Sequence, residues 1–126
     1  MELNTSELKK YSRQLILKNI GVSGQKKLFN SKILIIGAGG LGCPLMLYLV
    51  YSGVGNLGII DDDKIEISNL SRQVLFTKKD LGKFKVTVSK NFLKKINKKI
   101  IVKTFLKKIN KENIHNIAKN YDYICD

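Results

Sequence analysis

The chain has 126 residues, 44% of them apolar and 26% charged, enough for one small packed domain and too few for two. No apolar run approaches the ~20 residues of a membrane span, and the polar start MELNTSELKK is no secretory signal. Two cysteines make neither a disulfide framework nor a zinc cage, so a reducing, cytoplasmic setting is expected.

The net charge of +13 rests on 23 Lys and Arg residues, of which only Arg13 and Arg72 are arginine. Lys, Asn and Ile are abundant together, as A/T-rich coding produces. The lysines are scattered over helical stretches rather than set among guanidinium forks and aromatic platforms. Neither a nucleic acid nor a membrane is therefore expected as a partner.

Residues 1–30 read as an N-terminal helical segment. Leu8, Tyr11, Leu15 and Ile16 fall at helical spacing behind Thr5 or Ser6 as N-cap. A turn is expected at residues 21–24 and a short helix near residues 25–29. Residues 33–36 (ILII) suit a strand buried on both faces of a parallel sheet. After GAGGLG comes CPLMLYLVYSG, an apolar stretch of helix length ended by Gly53, with Pro44 tolerated in its first turn. Tyr48 and Tyr51 are expected to pack into the core or onto the sheet. Residues 57–60 form a second strand that ends in Asp61, Asp62 and Asp63. Of these only Asp61 is expected to serve a ligand.

A helix is predicted over residues 80–97, with Phe84, Val88, Phe92 and Ile96 as its apolar stripe. Lys85 falls in its first turn beside that stripe, where an ordinary lysine is solvated. A third strand at 100–105, a short helix at 111–119 carrying a surface His115, and a fourth strand at 121–125 complete the order. Cys43 and Cys125 read as structural. The alternation predicts an α/β, Rossmann-like parallel sheet with flanking helices, right-handed crossovers and the fourth strand beside the first. Residues 31–126 form its nucleotide-binding half domain.

Gly37-Ala38-Gly39-Gly40-Leu41-Gly42 fits G-x-G-x-x-G between a strand and a helix, with a carboxylate about 20 residues on. Gly37 turns the chain off the strand. Gly39 and Gly40 keep side chains away so that phosphates can approach backbone N–H groups, and Gly42 allows close helix packing. The helix N-terminus adds partial positive charge. Asp61 is placed to accept from ribose hydroxyls. The loop alone admits either a dinucleotide dehydrogenase or an ATP-dependent adenylating enzyme.

Residues 68–73 (SNLSRQ) discriminate further. Taken with GAGGLG, Gly53-Val54-Gly55, the Asp61 strand end, Gly82-Lys83-Phe84-Lys85 and the early YSRQLIL, the chain resembles the N-terminal half of the ubiquitin-activating-enzyme-like adenylyltransferases of MoeB/ThiF type. The resemblance implies ATP- and Mg²⁺-dependent adenylylation of the C-terminal glycine of a ubiquitin-like sulfur carrier, in a molybdopterin or thiamine pathway. It implies that Arg72 and Lys85 hold the ATP phosphates and that Asn69 stands near the reacting phosphate. Asp61 would hold the ribose, and Gly37, Gly39, Gly40, Gly42, Ser68, Leu70 and Ser71 would complete the cradle. Arg13 matches an arginine that reaches a partner subunit's site, which implies a homodimer. No metal ligand is assigned within the chain. Asp126 matches only the first aspartate of the family's Asp-x-Thr-Asp-Asn motif, so the main Mg²⁺ ligand and the Cys-x-x-Cys zinc ligands are expected beyond it, and the chain reads as an inactive N-terminal fragment truncated after the fourth strand. A tRNA-modifying dehydratase branch shares the loop and the Asn-Leu-x-Arg-Gln segment. An NAD(P)-dependent oxidoreductase half domain explains the loop and Asp61 but leaves residues 68–73 and Lys85 without a role. A non-catalytic module that docks a carrier protein is the remaining alternative.

Overall fold

The computed structural model describes residues 2–126. Four parallel strands lie in the order β3-β2-β1-β4: β1 (Lys32–Ile36), β2 (Asn56–Ile60), β3 (Ile101–Phe105) and β4 (Tyr123–Cys125). β1 pairs with β2 from Lys32↔Asn56 to Ile36↔Ile60 and with β4 from Ile33↔Tyr123, which places the fourth strand beside the first. Successive side chains of a strand face opposite ways. Ile33, Ile35, Leu57 and Ile59 accordingly point into the larger core, beneath α4 (Gly42–Ser52) and α5 (Lys85–Ile96). Leu34 and Ile60 point into a smaller one with Ile117 of α6 (Ile114–Ala118). Burying each such side chain contributes about 2 kcal/mol. No helix among the described residues is long and apolar enough to cross a membrane.

The N-terminal segment holds α1 (Thr5–Lys10), α2 (Ser12–Leu15) and α3 (Gly21–Asn30). The cap of α1 is Asn4, not Thr5 or Ser6. Asn4 Oδ1 accepts from the Glu7 N–H at 2.9 Å, while Glu7 Oε2 accepts from the Asn4 N–H at 3.0 Å. A carboxylate three residues on closes this reciprocal pair and sets the register. The turn expected at 21–24 lies earlier, at residues 16–20, and residues 21–24 are the first turn of α3, which the chain enters at Gly21 with φ 56°. Gln25 of α3 is buried, and Gln14 and Gln25 both donate to the Ser52 carbonyl, at 2.8 and 3.0 Å. That lock ties the segment to the C-terminal end of α4, where Gly53 (φ 97°) caps the helix.

Three further expectations need correction. The helix predicted over 80–97 begins at Lys85; Lys78–Asp80 is a separate 3-10 turn, and Gly82 with φ 80° breaks the chain between them. Its buried face is Val86, Ser89 and Leu93 with Val88, and Phe92 is largely outside it. Tyr48 and Tyr51 do not enter the core: they are 71% and 53% exposed on the outer face of α4. A helix apolar all round offers no polar side from which its outer face could be read. The helix expected at 111–119 is confined to Ile114–Ala118, with His115 exposed as anticipated.

Candidate functional site

The loop between β1 and α4 is shaped by close approaches that exclude side chains. Gly37 has φ 93°, and its N–H donates to the Ile60 carbonyl at 2.8 Å, so the loop starts level with the end of β2. A Cβ on Gly42 would collide with the Gly37 carbonyl oxygen. Gly42 is thus required by backbone meeting backbone at the loop neck, rather than only by helix–sheet packing. Gly39 and Gly40 differ: a Cβ there would meet nothing nearer than 4.0 and 3.5 Å. Their bareness leaves space above the loop. Among the described residues the N–H groups of Gly39 and Gly40, in the turn before α4, and of Leu41 and Gly42, at its start, have no backbone acceptor. They form a row of donors at the positive end of α4.

Asp61 follows β2 directly beneath this loop. One carboxylate oxygen accepts from the Ala38 N–H and the other from the Asp63 N–H, both at 2.8 Å. These two bonds fix the carboxylate and leave it further lone pairs for a hydroxyl. Asp62 and Asp63 are exposed, as expected for strand-end residues, though carboxylate oxygens of all three aspartates lie within 4.8 Å of one another. The same residues border a cleft of about 220 Å³ whose far wall is Lys107, Lys108 and Ile109. No sequence signal marked those two lysines. They follow β3 and reach the cleft only because β3 lies next to β2.

Residues 68–73 run as a 3-10 turn (Ile67–Ser71) and its exit. Asn69 is buried, and its Oδ1 accepts from the Glu66 N–H at 2.9 Å, so part of its amide closes the turn. Ser68 and Ser71 are exposed and Leu70 is half-buried against the core. The exposed Arg72 donates from Nη1 to the Ser68 carbonyl at 3.1 Å. Its side chain lies along Gly40, with Cδ 3.5 Å and Nε 3.7 Å from where a Cβ would stand. Gln73, 3% exposed, brings its Nε2 to 4.0 Å from the corresponding point on Gly39. Arg72 and Gln73 therefore flank adjacent glycines of the loop.

Lys85 is not a solvated lysine; it is 6% exposed. The connection after β2 doubles back on itself. The Ile65 N–H donates to Lys83 O and the Gly82 N–H to Ile65 O, both at 2.9 Å, and the Lys85 N–H donates to Asp63 O at 3.0 Å. These bonds set the first residue of α5 beside the end of β2. The Lys85 ammonium is 3.7 Å from an oxygen of Asp63, a side chain that is itself 68% exposed. A buried cation with one long, solvent-screened partner is only weakly neutralised. Cys43, buried in the first turn of α4, connects the parts: its thiol donates to Ala38 O at 3.5 Å. Burial pushes that thiol up to about 11, and the charges of Lys85 and Asp61 close by act on it in opposite directions.

The structure therefore brings together Gly37, Gly39, Gly40, Gly42, Asp61, Arg72 and Lys85, with the segment from Ser68 to Ser71 beside them. Arg13 is not part of this group. It is exposed in α2, pairs with no carboxylate among the described residues, and its neighbour Gln14 is anchored to Ser52 at the far end of α4. That end is about 15 Å of helix from the loop.

The chain is 48% identical over 124 residues to a probable molybdopterin-synthase adenylyltransferase of Gracilaria tenuistipitata var. liui, covering 98% of this chain and 35% of that protein. It is 44% identical over 125 residues to the adenylyltransferase and sulfurtransferase MOCS3 of Culex quinquefasciatus, covering 99% of this chain and 28% of that protein. Among solved structures, the ATP complex of Escherichia coli MccB superposes with a TM-score of 0.80 at 36% identity, over 91% of this chain and 35% of that one. The chain thus spans about a third of the length of these relatives. The model of the ThiF family matches residues 11–126, and the chain belongs to that family.

Proposed function

We propose that this chain is the ATP-binding part of an adenylyltransferase that activates the C-terminal glycine of a ubiquitin-like sulfur carrier. The observations that support the reading are Arg72 lying along Gly40 and the buried, weakly paired Lys85 at the start of α5, whose charge acts on Cys43 behind the loop. A triphosphate needs this combination: backbone donors, one planar guanidinium and one point cation. The fit extends to size, since Gly39 and Gly40 carry no Cβ where phosphate oxygens would sit.

In the proposed reaction a carrier carboxylate oxygen forms a bond to the α-phosphorus of ATP. The α–β bridging bond breaks and pyrophosphate leaves with its electron pair. The loop N–H groups, Arg72 and Lys85 stabilise the charge that gathers on phosphate oxygens, and Asn69 orients the reacting end. Asp61 holds the ribose. Mg²⁺, when bound, would neutralise charge on the phosphates, and among the residues of this chain the carboxylate of Asp126, beyond the carboxyl end of β4, would be an oxygen donor for it. Arg13, remote from its own loop, serves the site of a second copy in a homodimer. The relatives named as molybdopterin-synthase adenylyltransferase and as MOCS3 support the substrate class.

A competition titration of ATP against NAD⁺ tests this reading. Preference for ATP, with capture of a ubiquitin-like carrier strengthened by ATP, supports it. Preference for NAD⁺ transfers the site to hydride chemistry, and carrier capture indifferent to ATP reduces the chain to a docking module.

A further inference from the structure

Between α5 and the segment that carries the 3-10 turn Lys78–Asp80 lies a cleft of about 450 Å³, against about 220 Å³ for the one at Asp61–Asp63. None of the residues assigned to the nucleotide lines it. Its apolar lining is Leu75, Val88 and Phe92, and the Phe92 ring is 37% exposed. Thr87, Asn91 and Lys95 follow at helical spacing on the same face of α5, so that wall is about 12 Å long. Lys79 and Lys83 come from the other wall. Asp80, the one carboxylate in the lining, is already engaged. Its Oδ2 accepts from the Thr77 N–H at 2.9 Å and from the Thr77 hydroxyl at 3.1 Å, and its Oδ1 is 3.7 Å from Lys83 Nζ. Lys79 and Lys95 pair with no carboxylate among the described residues.

We propose that this cleft docks an acidic peptide segment of a partner protein, with one apolar side chain seated against Phe92 and carboxylates facing Lys79, Lys83 and Lys95. Scattered lysines do not single out a surface in this chain. Here they flank an apolar floor whose only carboxylate is spent on Thr77 and Lys83. An apolar anchor supplies binding free energy, while the surrounding opposite charges set register and speed encounter. The α5 wall matches about four residues of extended chain, more than a single small anion can use. No arginine lines the cleft and Phe92 is its only aromatic ring, so it lacks the planar forks and stacking platforms that hold a nucleic acid.

The test titrates the full chain into a fluorescent peptide of aspartates and glutamates around a single leucine, read by anisotropy at physiological salt. Lys79→Glu combined with Lys95→Glu should lower affinity about tenfold. Lys111→Glu combined with Lys119→Glu makes the same change of net charge around α6, on the opposite face of the sheet, and should lower it about twofold at most. Phe92→Ser should weaken the leucine peptide about fivefold and leave a peptide with glycine in place of leucine unaffected. All five side chains are exposed, and thermal unfolding checks that each variant folds; if Phe92→Ser does not, the two lysine pairs decide. Absence of peptide binding, equal losses in the two lysine pairs, or a folded Phe92→Ser that binds both peptides as the unaltered chain does overturns the proposal. Single-stranded polyuridylate is the competing probe. Tighter binding of polyuridylate than of peptide, with a larger loss on the Lys79 and Lys95 change, makes the cleft a nucleic-acid surface and also overturns it. A chain that binds the peptide at this cleft but no ATP supports this inference and overturns the nucleotide reading alone.

Discussion

Arg72 lies along Gly40: the arginine Cδ is 3.5 Å from the position a Cβ would take on that glycine. Two residues far apart in sequence thereby form one wall of the loop, and each limits the other. The contact is ordinary van der Waals distance, so it excludes little by itself. Its consequence is that space above Gly40 is shared between the guanidinium and whatever the loop binds.

Gly40 and Gly42 should therefore respond in opposite ways to the same small change. Gly40→Ala fits beside Arg72 and should leave the thermal midpoint nearly unchanged, while lowering ATP affinity by about tenfold as the methyl occupies the cradle. Gly42→Ala meets the Gly37 carbonyl oxygen and should cost about 3 kcal/mol of stability. Thermal unfolding with and without ATP separates the two outcomes. Equal destabilisation by both substitutions would contradict this division.

Lys85 and Asp63 should also be unequal. Lys85→Met removes a buried charge and keeps the length that packs at the start of α5, so stability should hold or rise slightly. Asp63→Asn leaves the buried ammonium without its carboxylate. Because the Asp63 side chain is largely exposed and screened, the loss should be about 1 kcal/mol or less. Denaturant midpoints for the two variants check the order.

Glu7 closes the α1 capping box and accepts from Lys99 Nζ at 2.8 Å. The Lys99 hydrogen bond first, and the Asn4 N–H second, hold its carboxyl below the ordinary value of 4.5. A lowered folded-state value means that the stabilisation is fully present above the unfolded-state value and is lost as pH falls through the folded-state one. Stability should therefore decline on the acid side of pH 4.5 more steeply in the unaltered chain than in Glu7→Gln. The measurement is denaturant unfolding at a series of pH values. Parallel curves would show that the pair contributes nothing.

Cys43 should be inert in the folded chain. Burial raises its thiol to about 11 and shields it, whereas Cys125 is only half-buried. A disulfide reagent at pH 8 should label Cys125 rapidly and Cys43 only in denaturant. Rapid labelling of Cys43 under native conditions would mean that the loop opens freely.

The strand, glycine loop and helix from residue 32 to 53 were legible because their signals are local: an isoleucine run, a glycine spacing and a glycine cap. The neighbour relation of β1 and β4 followed from alternation and crossover hand. What escaped was set at a distance. Lys85 reads as a solvated lysine until the hydrogen bonds of Ile65 with Gly82 and Lys83 fold the connection back and bury it. The same doubling back moved the start of α5 five residues later than its periodicity suggested. Lys107 and Lys108 gained their place from strand order alone. The burial of Gln73 comes from the exit of the 3-10 turn folding against Gly39, a contact that no local signal in residues 68–73 marks.

The most direct measurement is calorimetric titration of ATP into the unaltered chain, Arg72→Leu, Lys85→Met and the double variant, with adenosine as the reference ligand. Two cations on one triphosphate predict a loss of about tenfold or more for each single variant, a larger loss for the double, and no change for adenosine. ATP affinity equal to that of the unaltered chain in both single variants would contradict the account.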